Sequence, residues 1–279
     1  MSIDIEQYED GRWRFGSYTM QGNTAEKDVV EDDQVPAWGF LADQVRIENC
    51  TVHFRSPDLD LTLVVDKADL AGITTRESEQ AGHLILQGSL NNSYLKLDLD
   101  RVQIVPELLL TGDVKVADFN LDIIADLLRD VLPVFKGAVG LNGKVLFNQS
   151  SFNGIKVEYD GTIGVTGPDI GSKSFSTRAE KLGWQGKVYY QSALDSPIVI
   201  TTDGTLSADH YNLELAGAQF STTESRIELT GKNSVTVTES VSVENDGLLQ
   251  VEGAHMSLPS YELDEKSLSW KVRVLYAVS

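Results

Sequence analysis

Cysteine is almost missing from this chain of 279 residues. Cys50 is alone, which excludes an intrachain disulfide and any cysteine-built metal cluster. Basic residues are also scarce, with 23 Lys and Arg against 42 Asp and Glu and a formal net charge of −19. No basic cluster stands ready to neutralise phosphates, so nucleic acid is not an expected partner. Broad docking on anionic headgroups is disfavoured for the same reason. The acidity itself favours solubility. No run of 18 apolar residues occurs, and no signal peptide precedes the first strand pattern. Met1 is followed at once by an alternation, Ser2-Ile3-Asp4-Ile5-Glu6, and residues 268–276 alternate to the end. A chain that begins and ends inside strand patterns reads as a piece of something longer.

Catalytic constellations are missing as well. His53, His83, His210 and His255 are far apart, and none stands in an H-E-x-x-H or H-x-H setting. There is no Gly-x-Ser-x-Gly elbow and no glycine-rich loop opening a helix. Residues 161–167 look like one, but no helix pattern follows them. The carboxylates fall mostly on wet faces, and nothing marks a glycosidase pair. The expectation is a non-enzymatic protein with no cofactor and no metal.

What is present is alternation. Leu59, Leu61, Leu63 and Val65 share one face against Asp58, Asp60, Thr62 and Val64. Leu84 and Leu86 follow, then Leu95, Leu97 and Leu99 against Lys96, Asp98 and Asp100. The pattern continues through Val102/Ile104, Leu108/Leu110 and Val114/Val116. Connections this short permit antiparallel neighbours and leave no room for crossover helices. Cys50 fits such a pattern as a small strand residue. Further strands are expected near 154–166, 181–191, 197–216, 225–231, 234–243, 247–257 and 268–277. One face is apolar and the other carries Thr, Ser, Glu and Lys, the mark of a sheet with one dry side.

One stretch departs from this period. In 120–133, Leu121, Ile124, Leu128 and Val131 recur at helical spacing, widened by Ile123, Leu127 and Leu132. Asn120 or Asp118 can cap its start, Asp122 suits the helix dipole, and Pro133 with Gly137 marks its stop. The spacing predicts an amphipathic helix of about a dozen residues, roughly 18 Å long, which needs a surface to lie on.

The second half repeats itself. Residues 157–167 align without a gap on 243–253, and Leu182 and Trp184 align on Leu268 and Trp270, an offset of 86 residues. Asp160-Gly161, Asp203-Gly204 and Asp246-Gly247 lie 43 apart. Each Asp-Gly reads as a turn that opens a strand; no calcium-loop spacing accompanies it. A period near 40 residues means stacked units sharing one continuous core. Blades of a closed propeller have that length, but the Trp-Asp signature is missing. The chain divides into a β region over 1–150, ending in the helix, and a repeated β region over 151–279 continuous with it.

Residues 35–54, followed by 59–70, together with the repeated Leu-x-Trp strand and the block 121–143, resemble the AsmA-like family of bacterial envelope proteins, most of all its members with large repeated domains. The resemblance implies an elongated, curved antiparallel sheet, a half-pipe with an apolar trough. It implies a periplasmic segment of a parent protein anchored in the inner membrane, serving bridge-like lipid transfer and outer membrane biogenesis. The expected partners are phospholipid acyl chains and further repeats of the same parent chain. Candidate groove residues are Leu59, Leu61, Leu63, Leu84, Leu86, Leu95, Leu97 and Leu99. Ile124, Leu128 and Val131 of the helix would cover or plug one end.

The competing reading is a β-sandwich whose two apolar faces meet and leave no groove. Such a module would bind glycan through exposed Trp13 or Trp38, or serve as a spacer for protein partners. Trp184 and Trp270 occupy equivalent repeat positions and are expected to pack.

Overall fold

A computed structural model describes residues 2–8, 12–16, 18–20, 41–74, 81–129, 132–150, 154–172, 174–193, 196–215, 218–222, 226–237, 241–258 and 261–278. Its strands are β1 (Ser2–Gln7), β2 (Trp13–Phe15), β3 (Tyr18–Met20), β4 (Leu41–Ser56), β5 (Leu59–Thr74), β6 (Gly82–Leu90), β7 (Ser93–Gln103), β8 (Leu108–Asn120) and β9 (Val134–Ser150). They continue as β10 (Gly154–Gly171), β11 (Phe175–Arg178), β12 (Lys181–Ser192), β13 (Ile198–Asp209), β14 (Asn212–Leu215) and β15 (Ala218–Thr222). The last are β16 (Arg226–Val237), β17 (Val241–Leu258) and β18 (Tyr261–Val278).

These strands make one large open sheet, curved but not closed, with 85% of the described residues in strands. Each strand from β4 to β10 pairs antiparallel with the next. The ladder continues β10–β12–β13–β16–β17–β18. β11, β14 and β15 prolong β12, β13 and β16 beyond short breaks and form a parallel track from β10 to β17. With those three taken as continuations, the sheet has 15 strands. Among the described strands β1 alone runs parallel to a neighbour, β4. The 43-residue period is therefore one hairpin of two long strands, and each repeat adds a hairpin to the sheet.

A sheet of one layer cannot bury its dry face. A compact protein of this mass would expose about 12,000 Å²; this chain exposes 18463 Å². Among the described residues eleven apolar ones are buried, and two small clusters form in the N-terminal half. The sandwich reading is thereby excluded: no second sheet faces the first among the described residues.

Two lines of backbone irregularity cross the strands. Along the first, Gly143, Gly161, Gly186, Gly204, Gly231 and Gly247 stand opposite one another in six consecutive strands. Along the second, Asp118, Gly167, His210 and Gly253 have positive φ, with the last three 43 residues apart. Register shifts accompany it in β8 and β10. Glycine kinks and bulges bend strands, so long strands crossed by both lines give a curved sheet.

The expectation that each Asp-Gly opens a strand is corrected here. Asp160-Gly161, Asp203-Gly204 and Asp246-Gly247 lie inside β10, β13 and β17. β16 likewise runs unbroken through Gly231, where two strands were expected. Local sequence marks glycine as a turn; the pairing partner on the neighbouring strand is what requires it here.

The helix is also corrected. The structure has a 3-10 turn at Leu121–Ile124 and one α-turn at Ala125–Leu128 in place of a dozen-residue helix. Asn120 caps it as expected, accepting a hydrogen bond from the Asp122 amide at 3.0 Å. The Leu121–Ile124 turn packs on both β9 and β5. Three strands separate those two, so the sheet is curved where the turn reaches both. Among its described side chains only Leu121 is buried, and Leu127 is exposed. So short a helix has little stability of its own, and one buried side chain anchors it.

Candidate functional site

The apolar face carries one continuous line of residues, with Gly88 the single position that lacks a side chain. Cys50, Val65, Gly88, Leu95, Val116, Leu141, Ile163, Trp184, Leu206, Leu229, Leu249 and Trp270 stand opposite one another in twelve successive strands. With strands about 4.8 Å apart, eleven steps make a strip roughly 53 Å long. No polar side chain interrupts it. Its exposure is graded: Cys50 (3%) and Val65 (5%) are buried, whereas Leu206 (41%) and Trp270 (45%) are open to solvent.

The residues expected to line a groove fall on this face, in three groups. Leu63 and Leu86 pack on the cluster of Cys50, Val65 and Ala68. Leu99 is buried with Ile73 and Val102, with Leu84 and Leu97 against them. Leu59, Leu61 and Leu95 are half-buried and belong to neither cluster. Ile124 is half-buried in the short turn. Val131 and Trp38 lie outside the described residues, as do the side chains of Leu128 and Trp13. The more open part of the face was not among those candidates. Ile163, Leu206, Leu229, Leu249 and Trp270 supply it, and their alternation was the signal available.

Aromatic rings cover the glycine line. The Trp184 indole lies 2.8 Å from where a Gly204 β-carbon would stand. Its Nε1 is buried without a partner. Tyr159 lies over Gly161, donating to the Thr162 carbonyl at 2.7 Å and accepting from the Asn142 amide at 3.2 Å. Burial pushes the Tyr159 phenol above its ordinary value, only partly offset by those two backbone bonds.

The opposite face is polar and ordered by charge. Asp113, Lys144, Asp160, Lys187, Asp203, Lys232 and Asp246 stand in register across seven strands, with signs alternating at each step. Lys187 lies 3.7 Å from Asp160, and Lys232 lies 3.6 Å from Asp203. The Asp residues of the repeat are thus rungs of a ladder. Opposite charges across strands support one register, and a slip of one residue would part every pair.

The histidines each have a separate partner. His53 faces Thr62 at 3.1 Å, His83 faces Asp98 at 3.4 Å, His210 faces Glu180 at 2.9 Å and His255 faces Asp264 at 2.6 Å. No group of three or more potential metal ligands forms among the described residues. A cleft near the N-terminus is lined by Glu6, Tyr8, Arg12 and Arg55, but Glu6 and Asp60 both lie 3.7 Å from Arg55. Its positive charge is largely neutralised. None of the described helices is long and apolar enough to cross a membrane.

The geometry defines a single-layer β-sheet with one continuous dry strip and one charge-laddered wet face. Comparison with family models, with curated proteins and with solved structures found no match.

Proposed function

We propose that this chain is a lipid-conducting segment of a bacterial envelope protein, holding phospholipid acyl chains along its apolar face. The observation that carries the reading is the twelve-residue strip from Cys50 to Trp270, open to solvent at Leu206 and Trp270. Each methylene moved from water onto such a surface contributes about 0.8 kcal/mol. A strip without polar side chains offers no position where a tail would be held in preference to the next. Headgroups stay in water, so phosphate needs no basic pocket, and the net charge of −19 is compatible with that. No covalent step is involved. The setting would be the periplasm, between the inner and outer membranes, with the parent protein anchored in the inner one. Further hairpins of that parent would extend the sheet beyond β18 on the same 43-residue period.

Native mass spectrometry of the chain purified without detergent tests this. Adducts with the mass of phospholipid are the expected result. A bare chain that also takes up no fluorescent phospholipid would overturn the proposal.

A further inference from the structure

One row of the dry face loses its apolar character where the sheet is most open. Val145, Tyr159 and Val188 fill this row on β9, β10 and β12. Thr202 and Asn233 follow them on β13 and β16, and Asn245 holds the register position opposite Asn233 on β17. Strand parity puts Thr202 and Asn233 on the same side as Leu206 and Leu229 of the strip, four residues away. Two residues in the other direction the face is apolar again, at Ile200 and Val235. Thr202 and Asn233 are both half-buried. Asparagine is depleted in strands, and a polar group drawn out of water costs free energy unless it is hydrogen-bonded. Valine, used in this row at 145 and 188, suits a dry strand face better. The polar pair therefore calls for a reason.

The Asn233 amide nitrogen donates to the Thr202 hydroxyl at 3.1 Å. A hydroxyl that accepts still has its own hydrogen to give. The charged neighbours Asp203 and Lys232 belong to the opposite face. The pair thus offers hydrogen bonds without charge, which suits a carbonyl oxygen and gives a phosphate no cation. Gly204 and Gly231 lie between the pair and the strip, so β13 and β16 place no side chain of their own there. The polar pair and the leucines are about 13 Å apart along the strands. Toward the N-terminus the same row is closed, with Leu99 buried and Val145 packed on its cluster. At β13 the face is open, and Leu206 is 41% exposed. A ligand with neutral carbonyls at one end and hydrocarbon beyond them matches both margins. A plain hydrocarbon would leave the polar margin unmatched.

We infer that Thr202 and Asn233 seat the ester carbonyls of a diacyl glycerolipid, whose tails cross Gly204 and Gly231 onto Leu206 and Leu229. The inference rests on the lipid reading above. It adds a resting place to a strip that has none, and a preference for ester-linked chains.

Competition between two lipids on the full chain tests it. Dioleoyl phosphatidylethanolamine and its dialkyl ether analogue, alike in headgroup and chain length, are offered together in equal amounts. Native mass spectrometry then reads the ratio held. The parent is expected to favour the ester form about fivefold or more, the worth of one hydrogen bond. Thr202→Val combined with Asn233→Val is expected to hold the two lipids alike and, valine being suited to strands, to melt no lower than the parent. Thr202→Ser keeps the hydroxyl and is expected to keep the preference. Equal retention of the two lipids by the parent would overturn the seat and leave the acyl path standing, whether or not any variant folds. A preference that survives in the double variant would overturn the seat too. Uptake of neither lipid would overturn the seat and the lipid reading together.

Discussion

Gly186 and Gly204 face each other across β12 and β13 so closely that a β-carbon on Gly204 would stand 2.8 Å from the Gly186 α-carbon. It would also run into the Gln185 carbonyl oxygen. The collision is with backbone, which cannot swing aside. Gly204→Val is therefore expected to destabilise the chain by about 2 kcal/mol or more, read as a lowered denaturant midpoint. Gly164→Ala, also in mid-strand but with open space around it, is expected to be neutral or stabilising. Equal effects of the two would remove the structural role assigned to the kinked line.

The charge ladder makes a prediction that isolated ion pairs do not. Combining Asp203→Lys with Lys232→Asp exchanges the two charges and preserves their pairing, which spans 3.6 Å in the parent. The exchange also sets a lysine at position 203 beside Lys187 and an aspartate at position 232 beside Asp246. An isolated pair would tolerate it. A ladder should not, and the double variant is expected to melt below the parent, by less at high salt. Each contact is worth only about 0.2–1 kcal/mol, so thermal melts at two ionic strengths are the suitable measurement.

Acid should weaken one surface network in a definite direction. The Lys67 ammonium and then the Arg46 guanidinium, each 2.7 Å away, hold the Asp69 carboxyl below the usual carboxylate range. A carboxyl lowered in the folded state stabilises above its unfolded value and stops doing so as pH falls through the folded value. Asp69→Asn should melt lower than the parent at neutral pH, and the gap should close in acid. Tyr159 acts at the other extreme. Its raised phenol stabilises at neutral pH, and that contribution fades as pH climbs through the folded value. Tyr159→Phe should flatten the alkaline limb of the melting profile.

A charge on the dry face should block lipid with little harm to folding. Leu206 is already 41% exposed, so Leu206→Glu is expected to lower melting only slightly while markedly reducing fluorescent phospholipid uptake. Gln250→Glu, on the polar side of β17, adds the same charge and should leave uptake unchanged.

Much of this architecture could be read from residue order. Period-two alternation placed Leu59 through Leu99 on one side of the sheet, because a strand's two faces follow from sequence position alone. The 43-residue spacing showed that units repeat along a continuous sheet; that each unit is a hairpin came from the strand pairing. Asp203-Gly204 misled, because its partners Lys187 and Gly186 come from another strand, and no local window holds them. The helix misled for a related reason. Its apolar periodicity is real, but among the described side chains Leu121 alone finds a buried place, since β5 and β9 meet it at a single turn. The row of Gly140, Gly164 and Gly183 on three adjacent strands is legible only after registers are known.

Lipid contact can be mapped most directly by placing a photo-crosslinking phenylalanine analogue at neighbouring positions that face opposite ways. Leu229 lies on the dry strip and Thr230 on the wet face of β16. With phospholipid vesicles present, irradiation should attach lipid at position 229 and leave 230 unmodified. Equal labelling at both positions, or none at 229, would contradict an acyl-chain path along the strip.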